Sequence, residues 1–288
     1  MKSSRRLSLA ALCALSSVSA YALQPLNTDD AGTVGAGGNQ IELSVTRERA
    51  RQAGISGRDR TTEVPFSYTR GLTETLDLSI GIGHLRNRPG FKDENGATGK
   101  KTSGMGNTEI GAKWRFFENK DSGTSLAIAP TLVLPVSKSR QADDLGTGRV
   151  SGSVALLLSQ DVPFGAVHVN AGLGKNRYRQ LRDAAGDPAN ATSETTRNLS
   201  FAPVWEVSKT FQLAADLGVE WSKANKRESE EGGWLGKSHT TRTRYLGLGA
   251  IWTPQEDVDV TLGVFRYKDN ESQKTTTNSL TAGLTFRF

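Results

Sequence analysis

Between residues 39 and 288, runs of alternating apolar and polar residues recur along the chain, separated by turns and polar stretches, and helical periodicity is nearly absent after residue 22. A period of two sends successive side chains to opposite faces of an extended strand, so this pattern restricts the chain to sheet. Leu213, Ala215, Leu217, Val219 and Trp221 interleave with Gln212, Ala214, Asp216, Gly218 and Glu220. Leu76, Leu78, Ile80 and Ile82 interleave with Asp77, Ser79 and Gly81. The last residues, Leu280, Ala282, Leu284, Phe286 and Phe288, keep the same rhythm. Twelve strands are expected, at 39–50, 60–70, 74–87, 104–118, 123–136, 149–162, 164–178, 194–208, 210–223, 238–253, 256–268 and 275–288. Most exceed the globular mean of about five or six residues. They meet the roughly 9–11 residues that a tilted strand needs to cross a bilayer.

The connections add a second regularity. Short joins at 71–73, 119–122, 163, 209 and 254–255 alternate with long polar ones at 51–59, 88–103, 137–148, 179–193, 224–237 and 269–274. An up-and-down barrel with turns on one side of a membrane and loops on the other produces this alternation, whereas a Greek-key sandwich mixes its lengths. The expected fold is therefore all-β, a transmembrane up-and-down antiparallel barrel of about twelve strands over 39–288.

Residues 1–22 read as an export signal: Lys2, Arg5 and Arg6 open it, Leu7 to Val18 are largely apolar, and Ala20-Tyr21-Ala22 offers a cleavage site. The single cysteine, Cys13, falls inside it, so the mature chain would carry no disulfide and no thiolate metal site. Cleavage leaves 33 basic against 30 acidic residues, near +3, which is too weak and too mixed to argue for nucleic acid. No later stretch reaches the roughly 20 apolar residues of a membrane-spanning helix.

In such a barrel the apolar parity meets lipid and the polar parity lines the interior. Tyr68, Trp114, Phe116, Trp205, Phe211, Trp221, Trp252, Phe286 and Phe288 lie near strand ends on the apolar parity, where girdle aromatics belong. Glu42, Asp77, Glu109, Lys113, Arg115, His168, Asp216, Glu220 and Arg287 fall on the polar parity and are the candidate pore-lining residues. Opposite charges there would either close the interior by pairing or flank a polar path. Phe117, Tyr245 and Phe265 count to the inner parity as well, as packing or as a lining for a flat apolar solute. Twelve strands lie between filled eight-stranded barrels and the open porins of sixteen to eighteen strands, so a restricted pore is expected.

The stretch from Pro25 to Gly35, PLNTDDAGTVG, resembles the opening of a bacterial family named for the meta-pathway of phenol degradation, whose members are labelled outer-membrane transporters. A lysine typical of that family near Ala36 is absent here. The resemblance implies an outer-membrane channel of a Gram-negative cell passing small compounds, aromatic or hydrophobic ones among them, by facilitated diffusion. The motif residues are Pro25, Thr28, Asp29, Asp30 and Gly32. The segment 23–38 would lie on the periplasmic side or fold into the lumen. Asp-Gly clusters are common turn chemistry, so the simpler reading is a tether whose aspartates cap turns; the functional reading is a plug. A final Phe288 with Phe286 two residues before it also resembles the signal read by the barrel-assembly machinery. Outer-membrane lipid, lipopolysaccharide and a small solute are the other expected partners.

Catalysis finds little support. A barrel phospholipase sets His and Ser two apart on one strand, but His84, His168 and His239 are followed at that distance by Arg86, Asn170 and Thr241. Three scattered histidines do not match zinc spacings, and Asp143-Asp144-Leu145-Gly146 lacks a calcium-loop pattern and reads as a solvated turn. No cofactor is implied. The rival readings are a closed barrel whose loops bind surface partners and a lipid-modifying enzyme.

Overall fold

The computed structural model describes residues 24–92, 96, 98–179, 193–225 and 240–288. The export signal expected at 1–22 and His239 lie outside them. Twelve strands follow one another: β1 (Asn39–Gln52), β2 (Asp59–Thr73), β3 (Leu76–Arg88), β4 (Thr102–Asn119), β5 (Thr124–Leu134), β6 (Arg149–Val162), β7 (Gly165–Arg177), β8 (Ser193–Ser208), β9 (Phe211–Asn225), β10 (Thr240–Gln255), β11 (Val258–Lys268) and β12 (Thr275–Arg287). A five-residue helix, α1 (Lys138–Ala142), sits between β5 and β6. Each strand pairs antiparallel with its neighbours in sequence, and β1 pairs with β12 to close the barrel.

Closure gives every strand two partners, so no backbone edge faces the membrane, where an unpaired N–H or C=O has no water to bond. At the seam Leu43 stands opposite Leu284 and Val45 opposite Ala282. Asn39 N–H donates to the Phe288 carbonyl at 2.9 Å, and Phe288 N–H donates back at 3.0 Å.

Polarity is inverted relative to a water-soluble sandwich. Leu248 is 59% exposed and Leu262 53% exposed on the outer wall, whereas Asp216 is 0% exposed inside. The outward apolar run of β9, from Leu213 to Trp221, spans roughly 20 Å once strand rise and tilt are applied. That matches the apolar band of about 25 Å expected of such barrels. Aromatic pairs mark the short-turn rim: Trp114 with Phe116, Phe164 with Trp205, and Phe286 with Phe288, at centroid separations of 5.9, 5.8 and 5.4 Å.

Parity counting misplaces one residue. Register slips between Arg115 and Phe117, where a bulge inserts an extra residue into β4. Beyond it Phe117 pairs with Leu126 and turns outward, 44% exposed, so it joins the girdle and not the inner wall.

Candidate functional site: the bore and the segment that crosses it

The interior is not lined by strands alone. Residues 24–38 run through the short-turn half of the bore and touch its wall in sequence. Pro25 lies over Gly249 and Gly263, where an added Cβ would stand 2.9 and 2.8 Å from the proline ring. Leu26 is buried with Ala202, Val204 and Ala214 of β8 and β9. Ala31 is buried with Ala127, Ala129, Ala155 and Leu157 of β5 and β6. These inward apolar residues interrupt an otherwise polar wall, and each patch receives one apolar side chain of the segment. The sequence does carry a signal for them: in LAIAPTLVL and VALLLS both parities are apolar, which a barrel strand needs only where something apolar also lies inside.

Polar contacts fix the same path. Asp216 accepts from the backbone N–H groups of Asn27 at 2.6 Å and Thr28 at 3.0 Å, and from the Thr28 hydroxyl at 2.7 Å. Tyr245 adds its hydroxyl at 3.2 Å. Lys113 Nζ pairs with Asp29 Oδ2 at 2.8 Å and donates to the Asp30 carbonyl at 3.1 Å. Ala31 N–H donates to Ser159 Oγ at 2.8 Å, and the same hydroxyl is hydrogen-bonded to His168 Nδ1 at 2.9 Å. Val34 N–H donates to Asp77 at 2.9 Å. Asp30 Oδ1 caps the Gly32 N–H at 2.5 Å, which is turn chemistry, so the two aspartates divide the roles. Asp30 shapes the turn; Asp29 holds the wall.

The expected pore-lining residues all lie on the inner face, but they do different things. Asp77, Lys113, His168 and Asp216 are engaged with the segment directly or through Ser159. Glu42 accepts from Ser67 at 3.0 Å. Arg115 bonds the Glu74 carbonyl at 3.0 Å and faces Glu118 at 3.4 Å. Arg287 pairs with Asp259 at 2.6 Å and donates to Gln40 at 3.1 Å near the seam. Glu109 and Glu220 stand higher in the bore with Glu48 and Glu63, and among the described residues none of these four is in an ion pair. Of the motif residues, Pro25, Thr28 and Asp29 contact the wall, while Asp30 and Gly32 form the turn.

An aromatic wall rises beside the segment. Tyr245, Phe265 and Tyr267 project inward with centroids 5.5–6.3 Å apart. Tyr245 covers Gly218 and Phe265 covers Gly247; a Cβ at either glycine would collide with the ring above it. The Tyr267 hydroxyl accepts from Asn27 at 3.0 Å. Counting parity reaches all three rings, Tyr267 lying two residues beyond Phe265, although Tyr267 was not singled out; its contact with the segment is beyond what parity can give.

At the other end the β5–β6 connection folds back over the mouth; a turn forms at Asp143 and Asp144 as expected, but the stretch is docked on the wall and only partly solvated. Leu145 is 3% exposed, with its side chain over Gly104 and its carbonyl over Gly106 of β4. Asn87 donates to the Asp144 carbonyl at 3.1 Å, Thr147 N–H donates to Asn107 at 3.0 Å, and Gln141 spans to the Arg179 backbone at 2.9 and 3.0 Å. Burial, with Asp143 beside it, pushes the Asp144 carboxyl above its ordinary range.

His84 faces outward, with Ser103 at 3.3 Å, while His168 faces inward, so the two described histidines lie on opposite faces of the wall. No group of three or more metal-ligating side chains occurs among the described residues.

Fold and interior together define a transmembrane β-barrel of the outer-membrane type with its own N-terminal segment docked in the bore. The chain belongs to the family described as "Putative MetA-pathway of phenol degradation", whose model matches residues 24–288. An outer membrane channel from Pseudomonas putida F1 superposes with a TM-score of 0.66 at 14% identity, over 90% of this chain and 98% of that one. The translocator domain of the autotransporter NalP from Neisseria meningitidis gives 0.51 at 16% identity, over 88% and 89%. The NanC porin gives 0.51 at 8% identity, over 85% and 98%. No curated protein sequence matches the chain. A channel, a translocator and a porin share this architecture, so the fold alone does not assign the solute.

Proposed function

We propose that the protein is a channel of the Gram-negative outer membrane, reached through the signal at 1–22, that passes small solutes with an aromatic or hydrophobic body by facilitated diffusion. The observation that carries this reading is the Tyr245–Phe265–Tyr267 wall inside a closed, polar bore, directly beside the docked segment. When the segment moves away, the ring faces can stack a flat solute, and the hydroxyls of Tyr245 and Tyr267, which bond Asp216 and Asn27 in the docked state, can bond a phenolic one. The solute path enters beneath the 135–148 loop, passes the aromatic wall and leaves where residues 24–34 give way. Membership of the family and likeness to a channel barrel support this reading.

Uptake of a small hydroxylated aromatic into proteoliposomes tests it. The wild type is expected to exceed the rate of protein-free vesicles, and replacing Tyr245 and Phe265 by alanine to change that rate while a similarly sized sugar is unaffected. A correctly inserted barrel with no uptake above the lipid background contradicts it.

A second reading, a closed barrel without transport, draws on the bonding of residues 25–34 across the bore. Steady single-channel conductance of the wild type in planar bilayers excludes it.

A further inference from the structure

Charge is sorted by face in the loop-side half of the wall. Inward positions there carry Glu48, Asp59, Glu63, Glu109, Glu194 and Glu220, and outward positions on the described strands carry no acid. The outward apolar run ends on a cation in strand after strand: Leu173 then Lys175, Leu199 then Arg197, Leu246 then Arg244, Val264 then Arg266. The density is greatest on β1–β3. Arg49 stands directly opposite Arg60, and Arg60 directly opposite Arg88, so three guanidinium groups form one row across three strands. Arg47 and Arg86 flank Thr62 in the row beneath. All five arginines are exposed, and among the described residues none is in an ion pair.

Like charges directly opposite on a sheet face, with Cβ atoms about 5 Å apart, are destabilising unless a counter-charge joins them. Among the described residues the wall supplies no counter-charge to this row. A ligand surrounding the barrel at the height where the apolar band ends, on the side of the long loops, would supply it. Arginine pairs with phosphate through parallel N–H···O bonds, and a row of three matches a ligand carrying more than one phosphate.

We infer that the outward face of β1–β3 around Arg49, Arg60 and Arg88 binds the phosphates of an outer-leaflet glycolipid, the lipid A portion of lipopolysaccharide. The inference rests on the outer-membrane placement above but not on transport, so binding measured in detergent fails or succeeds independently of solute uptake.

The test titrates the refolded mature protein with fluorescent rough-type lipopolysaccharide carrying both lipid A phosphates, with the same glycolipid after phosphate removal, and with phosphatidylglycerol. The wild type is expected to bind the phosphorylated glycolipid at least fivefold more tightly than either of the others. The triple variant R49Q/R60Q/R88Q is expected to lose that preference, and Arg197→Gln, a single cation across the barrel, to keep it. Faster migration of unboiled than boiled protein on gels confirms that each variant is folded. Equal binding of dephosphorylated glycolipid or phosphatidylglycerol by the wild type overturns the inference, whatever the triple variant does. Unchanged binding by a folded triple variant, or an equal loss in Arg197→Gln, overturns the assignment to β1–β3.

Discussion

At the residue scale Asp216 bears most on the docked segment. One carboxylate, 0% exposed, takes three hydrogen bonds from Asn27 and Thr28, 188 residues away in sequence from the latter. Bonds to a charged group contribute about 1.5–3 kcal/mol each, so Asp216→Ala is expected to weaken docking by several kcal/mol and release the segment. Residues 23–288 contain no cysteine, which makes Ala31→Cys a clean reporter in the processed chain proposed above. It should resist a water-soluble maleimide in the native background and react at least tenfold faster beside Asp216→Ala; equal reactivity in both contradicts the bonding role. Asp144 permits a pH test. Its carboxyl is raised, so the docked loop favours the neutral form. Docking is therefore strongest below the ordinary carboxylate pKa of about 4 and weakens as pH rises through the raised value. Exchange of the Val136 amide, bonded to Thr147 at 2.9 Å, should be more protected in acid once intrinsic rates are corrected, and Asp144→Asn should remove that dependence. A pH-independent wild type contradicts it. Residues also mark where sequence reading stops. Glu42, Asp77, Lys113 and Asp216 could be assigned to the inner face because alternation carries that information, but which of them bond the segment is decided by partners far off in the chain. Phe117 was misassigned because one inserted residue reverses every parity after it.

At the scale of elements, the strands were readable almost to their ends. Each needs only a local period of two, and the tight turns between them restrict register. The 135–148 loop was not readable, since its docking depends on Leu145 meeting the bare glycines of β4, Gly104 and Gly106. Leu145→Asp places a charge in that contact and should free the loop without unfolding the barrel. The expected signs are faster exchange at Val136 and a larger single-channel conductance; an unaltered conductance contradicts the loop's part in narrowing the mouth. The inverted polarity of the strands has its own test. Leu248→Arg, near the middle of the outward run of β10, is expected to cost about 2–4 kcal/mol in lipid-vesicle unfolding. A cost near zero would mean that this face does not meet hydrocarbon.

At the scale of the whole molecule, the barrel is a rigid closed wall around a small number of separable contacts. The wall follows from alternation and closure. Inside it, two apolar patches, the two buried carboxylates of Asp216 and Asp77 and one lysine–aspartate pair hold residues 24–34 across the bore, and an aromatic wall stands beside them. Breaking the inner contacts should leave the wall intact, because strand pairing does not depend on them. The most direct measurement is uptake of a small hydroxylated aromatic into proteoliposomes by the wild type, by Asp216→Ala and by protein-free vesicles. Uptake by the wild type above the vesicle background, and faster uptake when the segment is released, is the predicted result. A fully inserted barrel that admits the solute no faster than bare lipid, with the segment held or released, would contradict the channel.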